Sequence, residues 1–552
     1  ILLTLPVFYL YLRKKIDFIS AFSVFILIPV LSSLTGWEHT YVLSLPLLAL
    51  FFFSINNRSI LTGLDSIRGE ETIELKPYAT AGIEIRENNP DKTVTKIGGD
   101  ANYLITPTLK LNLTLNTDFA QVESDRAQIN ISRFSLYYPE KRQFFLEGAN
   151  HFNSGLVDGA EIFYSRRIGI HEGEEIPIIG GARLMGNSGS SKIGLLSIQT
   201  AAHGELPTAN YSVARFRQNI FEKSSIGVIL TGKNAENHYN YVYGGDFFYS
   251  TSDIFGENNL KISAMIAQSV TQGFVNANNK AYNIVVDYPN DVIDAEMSFQ
   301  TIEKNFNPEI GFLRRKNFKN IYGEFKWRPR PSFLPWMKRF HFEPFSGGIY
   351  WTDDTGELET AWWDIRPFGF ETKSGEIFQF NIQFEHDRVD ESFDIYEDIG
   401  IDRGKYDFLS YELEFSTFSG RRVSFSSAVN FGDFYDGERM SLYANVKANL
   451  NRHLNISADF SRNNINLAQG YFYTNNIGGR VEYAFNPKVF SSFFGQWNNE
   501  MDLVIFNFRF NWIPVVGSDF YLAVNQMYST AGGDFELLYT TVLGKFVWRI
   551  GV

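Results

Sequence analysis

The chain has 552 residues, a net charge of −12 and a pI near 5.3, so a nucleic-acid partner, which needs a basic face, is not expected. It has no cysteine, which excludes disulfides, thiol nucleophiles and Cys-ligated zinc, and its eight histidines fall in no HxH or HExxH spacing, so neither a metal site nor a cofactor is expected. Aromatic residues make up 16% of the chain although mean hydropathy is −0.16, a combination that suits a membrane β-barrel, whose apolar face takes every second residue.

Residues 1–56 differ in kind from the rest. Residues 1–12 are apolar, Arg13-Lys14-Lys15 follow, and 16–35 give about one bilayer of apolar helix, broken by Asp17 and Pro29. Residues 36–40 read as a loop, and 41–55 are apolar again but short for a span. The whole resembles a helical membrane hairpin rather than a signal peptide, because a basic cluster splits it and no small-residue cleavage site follows. The basic cluster places residues 13–15 on the cytoplasmic side. If both later segments spanned, the chain after Asn56 would start in the cytoplasm, where an outer-membrane barrel cannot assemble. Either 41–55 does not span, or 1–56 belongs to a partner chain. The chain begins with Ile, which points to a processed or incomplete sequence. Residues 57–76 read as a linker.

From residue 77 to 552 the pattern is a series of strands. In 109–116, Leu109, Leu111, Leu113 and Leu115 oppose Lys110, Asn112, Thr114 and Asn116. The same alternation runs through 377–385, 454–460 and 506–512, with turn signals such as Asn486-Pro487-Lys488 between runs. Each run fits the roughly 9–11 residues with which a tilted strand crosses a bilayer. We count about 24 antiparallel strands, between 20 and 28, in an all-β transmembrane barrel. Charged residues on the polar faces suit a wet lumen. The closing strand is read in "LGKFVWRIGV" at the C-terminus.

One stretch breaks the alternation, "DFAQVESDRAQINISRFSLYYPEKRQFFLEGANHF" at 118–152. Its charges, Asp118, Glu123, Asp125, Arg133, Glu140, Lys141, Arg142 and Glu147, with Gln121, and with Arg166 and Arg167 as partners for the acids, suit a network inside a lumen, where buried charge must be paired. We expect 118–169 to fold inward as a plug, with Phe134, Tyr137, Tyr138, Phe144 and Phe145 as a small core and a stop at Pro139. A substrate-contacting constriction and a carboxylate pair for glycoside hydrolysis are the alternatives. The acidic stretch 387–407 reads as a solvated extracellular loop, Ca²⁺ ligation being the alternative without EF-hand spacing. Trp362-Trp363 reads as a membrane-interface pair, with a sugar platform as the alternative.

The 118–152 motif, followed by "IFYSRRIG" (162–169), "GARLMG" (181–186), "YSVARFRQNIFEKSSIGVILTGK" (211–233) and "NPEIGFLRR" (307–315), resembles a large outer-membrane barrel family of unknown function. In that family the barrel commonly follows a carbohydrate-binding module of family 9. The module is missing here, which weakens any glycan-binding claim, and the hydrolase label sometimes attached to the family finds no catalytic motif in this sequence. The resemblance implies a Gram-negative outer-membrane protein, not an enzyme. Its expected partners are the lipid bilayer with lipopolysaccharide, the outer-membrane assembly machinery and subunits of an envelope complex. The expected role is a transport or channel component with a lumenal plug. A structural or scaffold subunit is the alternative, and an outer-membrane hydrolase or glycan-binding surface protein the minority reading.

Overall fold

The computed structural model describes residues 73–551 apart from 88–89, 119–125 and 158. The hydrophobic segment expected at 1–56 lies outside the described residues, as does most of the 57–76 linker. The first strand, Ile73–Arg86, starts four residues before Pro77. Ile73 and Leu75 already point outward, while Glu74 accepts a hydrogen bond from Asn102 on the neighbouring strand, 2.8 Å away.

Twenty-four antiparallel strands close into one barrel. Two of them are interrupted: Met337–Phe340 continues into Phe342–Thr352 past His341, and Glu536–Val547 continues into Ile550–Gly551. The last strand pairs with the first from Arg86 opposite Tyr539 to Tyr78 opposite Val547, so the C-terminal run is the closing strand and no wall edge is left open. Among the described residues no helix is long and apolar enough to cross a membrane.

Alternation sets the two faces of the wall. In Ser224–Ala235, Ile226, Val228 and Leu230 are 47%, 52% and 54% exposed, while Ile229 and Thr231 between and beside them are 0% and 3% exposed. Exposed apolar rows of this kind continue around the barrel and would be costly in water. The Trp362-Trp363 expectation needs correction, because successive strand residues face opposite ways. Trp363 pairs with Phe384, a lipid-side residue, whereas Trp362 packs on the inner core beside Tyr322, with ring centroids 5.9 Å apart.

The connections are asymmetric. The turns 107–108, 189–190, 487–488 and 516–517 lie at the end that holds both chain ends of the barrel, here the turn end. The connections 116–177, 303–317 and 390–403 all leave from the other end, the loop end. Wall pairing passes directly from Leu109–Leu115 to Ile178–Ser188, so 116–177 is left out of the wall. That segment holds one helical turn, Gln143–Leu146, two 3₁₀ turns, and a two-residue pairing of Ala160–Glu161 with Phe312–Leu313.

The core sits between this segment and one sector of the wall. Phe145, Phe152 and Ile168 pack with Leu196, Ile198, Tyr211 and Val213 of the wall and Ile310 of a loop. Ile162 packs with Ile229, Val242, Met265 and Phe306. Ile162 and Ile168 are fully buried, worth about 1.5–3 kcal/mol each against exposure.

Candidate functional site

Among the described residues, the charges of the break in alternation do not gather into one network but end up at separate places. Asp118 lies at the closing seam. Its carboxylate accepts from the Thr80 hydroxyl at 2.7 Å and pairs with Lys96 Nζ at 3.2 Å, while its carbonyl accepts from Lys545 Nζ at 2.7 Å. Thr80 belongs to the first strand and Lys545 to the last, so one 3%-exposed residue ties both sides of the seam. Gln121, Glu123 and Asp125 lie outside the described residues.

Across the lumen, Ala127 exchanges two backbone hydrogen bonds with the side chain of Gln496, at 3.1 and 2.8 Å. Arg133 reaches the opposite wall, where Nη2 pairs with Asp387 at 2.7 Å and Glu359 at 3.1 Å. Asp387 also accepts from the Tyr435 hydroxyl at 3.3 Å.

Glu140 and Arg142 form a knot within the segment itself. Glu140 Oε1 accepts from the backbone N–H groups of Lys141 and Arg142 and from Arg142 Nε, at 2.8–2.9 Å. Oε2 accepts from Arg142 Nη2 at 2.7 Å and Ser165 Oγ at 2.6 Å. Arg142 also donates to the carbonyls of Ser165 and Ile168 and covers the Phe145 ring. Burial alone would raise the Glu140 carboxyl, but the bonds and charge of Arg142 and the Ser165 hydroxyl hold it below its ordinary value. A general acid needs the opposite, a raised pKa and a proton to give.

Glu147 is held by Lys110 at 2.6 Å and Arg183 at 2.7 Å, both from wall strands. Burial works against its ionisation, and these two cations more than offset it, so its carboxyl is also lowered. Arg183 further donates to the Phe144 and Glu147 carbonyls and lies over the Phe144 ring. Gly148, at φ 69°, lets the chain turn here in the left-handed region. Glu161 shifts the other way from Glu140 and Glu147: burial raises its carboxyl, opposed by the Tyr137 hydroxyl. Tyr137 is in turn pushed up to about 12 by burial and by the Glu161 charge.

Further contacts tie the segment to three more wall strands. Arg215 donates to the Asn153 carbonyl, Asn283 to the Gly155 carbonyl, and Gln300 exchanges two bonds with Val157. Arg167 donates to the Gly311 carbonyl at 3.1 Å and Arg166 to the Pro139 carbonyl at 3.4 Å, and the cation paired with Glu140 is Arg142. The expected aromatic core divides. Phe145 joins the dry core, Tyr137 sits against Tyr164 and Phe312, and Phe134 lies between the guanidiniums of Arg133 and Arg315.

The acidic stretch 387–407 keeps most of its acids exposed, as a solvated loop does, but it also carries a core of its own. Val389, Ile395 and Ile401 are buried with Phe434, Ile465, Leu467 and Phe472, and Ile131 of the segment packs against them. Its apolar residues, spaced among the acids, find one another only when the loop folds back as the hairpin Phe393–Tyr396 with Ile399–Ile401. Among the described residues no group of three or more His, Asp or Glu is placed to hold a metal. Lys96, Lys110, Arg183, Gln496 and Lys545 were missed from the sequence. Each is an ordinary member of a polar strand face, and alternation marks it only as inward. At the loop end a vestibule of about 2550 Å³ opens beside Tyr138, Arg166, His203, Asn525 and Thr541.

Residues 72–178 match a domain family described as a domain of unknown function, DUF5916. The match covers the first three strands and the whole 116–177 segment. No curated protein matches the chain. Among solved structures, the siderophore receptor PirA from Pseudomonas aeruginosa is 8% identical, with 87% of this chain and 81% of that chain covered and a TM-score of 0.43. The FrpB iron transporter from Neisseria meningitidis is 8% identical, with 88% and 83% covered and a TM-score of 0.39. OccK8 (OprE) from Pseudomonas aeruginosa is 8% identical, with 87% and 98% covered and a TM-score of 0.31. At this identity and these scores the likenesses say nothing of what this chain binds or carries.

Proposed function

We propose that the chain is an outer-membrane transport barrel whose 116–177 segment is a lumenal plug. The supporting observation is the circuit of that segment's contacts: Lys545, Gln496, Asp387, Arg183, Arg215, Asn283 and Gln300 belong to seven different wall strands. A segment that touches so many strands on their inner faces lies across the lumen. Long connections lie on the outer side of such barrels, so the plug enters from the cell exterior.

The two halves of the plug are held differently. Residues 143–168 are held by dry core, while 126–138 are held by the Arg133–Asp387 pair, the Gln496 bonds and the Ile131 contact. The second half is therefore the part that yields, and solute passes beside it. The test is single-channel recording in planar bilayers. Arg133→Glu should raise the open probability severalfold, and Arg133→Glu with Asp387→Arg should return it toward the wild-type level. No conductance in any of the three proteins, with the barrels folded, overturns the transport reading.

The dry core that immobilises 143–168 favours a second reading, a permanently filled barrel serving as a scaffold. That reading expects stoichiometric co-purifying partners and no conductance change in Arg133→Glu.

A further inference from the structure

At the turn end, far in sequence from the plug, the regularity of the wall fails on consecutive strand pairs. The register shifts between Phe325 and Trp327, Met337 and Arg339, Glu343 and Gly347, and Ile365 and Phe368. A bulge adds a residue to one strand, bends it and re-aims its side chains, and bulges gather next to binding sites. Here they open a cavity of about 340 Å³ lined by Lys326, Arg328, Arg339, His341 and Arg366, with Phe342 and Gln379 completing it and no carboxylate in its lining.

The acids stand behind the cations. Arg328 Nη2 pairs with Asp294 at 3.0 Å, and Arg339 uses Nε for Glu371 at 2.7 Å and Nη1 for Asp291 at 3.3 Å. Arg366 uses Nη1 for Glu343 and Nε for Asn381, each at 2.8 Å, and Lys326 pairs with Glu324. Each guanidinium is thus fixed through part of its five-donor fork. Arg328 keeps Nε and Nη1, and Arg339 and Arg366 keep Nη2, uncommitted to those acids. His341 Nε2 is buried without a hydrogen-bond partner, its nearest carboxylate, that of Glu371, being 3.6 Å away. A buried polar atom left without a partner is costly, which marks this part of the wall as strained for something other than packing.

We propose that this cavity is a binding site for a phosphate group carried by a small organic molecule. Three guanidiniums and an ammonium converging from three neighbouring strands and the connection that follows one of them suit an anion with several oxygens and more than one charge, and planar forks bind phosphate in pairs of bonds. The volume lies at the low end of the roughly 300–1,000 Å³ of small-molecule sites, which leaves room beyond the phosphate itself. Phe342 offers that remainder an apolar wall. The proposal stands whether or not the plug opens.

The test is isothermal titration of the full chain in phosphatidylcholine nanodiscs with inorganic phosphate and with glycerol 3-phosphate. Saturable binding of both is expected, tighter for glycerol 3-phosphate and weakened by salt. Arg339→Gln and Arg366→Gln should each weaken it roughly tenfold or more, since each tenfold corresponds to one strong charge-assisted bond. Lys261→Gln, outside the cavity, should bind like wild type. Should an arginine variant fail to close its barrel, as judged by heat-modifiable gel mobility, His341→Asn gives the same readout at a neutral position. Nanodiscs containing phosphatidylglycerol separate the sources: weakened titration means that a lipid headgroup competes for the cavity, and unchanged titration means a soluble ligand. Absence of saturable binding of both probes, or equal binding by wild type and the folded variants, overturns the proposal.

Discussion

Asp118→Asn tests whether the start of the 116–177 segment holds the barrel shut. The Asp118 and Lys545 side chains are 2% and 5% exposed, whereas that of Lys96 is 37% exposed. The substitution keeps the Asp118 carbonyl that accepts from Lys545, and an amide oxygen can still accept from Thr80. What is lost is the negative charge between two ammonium groups, one of them buried. Breaking a buried pair by removing one partner costs about 3–5 kcal/mol. The Lys96 share is exposed and screened, and contributes about 0–1 kcal/mol. Because the carbonyl contact survives, the expected loss lies near the lower bound, about 3 kcal/mol. The assay is urea unfolding in lipid vesicles, followed by heat-modifiable gel mobility and tryptophan fluorescence, with Trp548 beside the seam. The midpoint should fall with the slope unchanged. Adding Lys545→Met should recover part of the loss, because the stranded charge is removed with its partner. An unchanged midpoint in Asp118→Asn, or a double variant less stable than the single one, refutes the latch.

Ile168→Ala, at a fully buried site in the core of the 116–177 segment, should cost about 2–5 kcal/mol in the same assay and speed hydrogen exchange across 143–168. The segment's acids should respond to pH with opposite signs. Glu140 is lowered in the folded state, so its contribution is complete above its ordinary value of 4.5 and is lost as pH falls through the lower folded value. Wild type should therefore lose exchange protection around 139–168 below that pH more steeply than Glu140→Gln. Glu161 is raised, so its folded state favours the protonated form, and its contribution fades as pH rises from 4.5 through the folded value. Glu161→Gln should stabilise the 116–177 segment at neutral pH, and a loss of stability there would contradict the assignment. Brominated lipids should quench Trp363 and spare Trp362, measured as the quenching lost in Trp363→Phe and kept in Trp362→Phe.

Alternation alone carried the architecture: inward and outward residues follow from a period of two, so strand count, lipid face and closing strand were legible in runs such as 109–116 and 506–512. The break at 118–152 was legible for the same reason, since such a run of charges and adjacent aromatics cannot serve a wall that faces lipid. The partners of those charges were not. Arg133 meets Asp387 across 254 positions and Asp118 meets Lys545 across 427, distances that only barrel closure brings together. Glu147 takes Lys110 and Arg183 from the wall, which spacing in the chain does not show, and at 387–407 a few spaced apolar residues decide which part is buried while most of the acids stay exposed. The basic cavity by His341 lay outside sequence reasoning altogether. Its cations are unremarkable members of polar faces, and the bulges that gather them arise from how neighbouring strands share register.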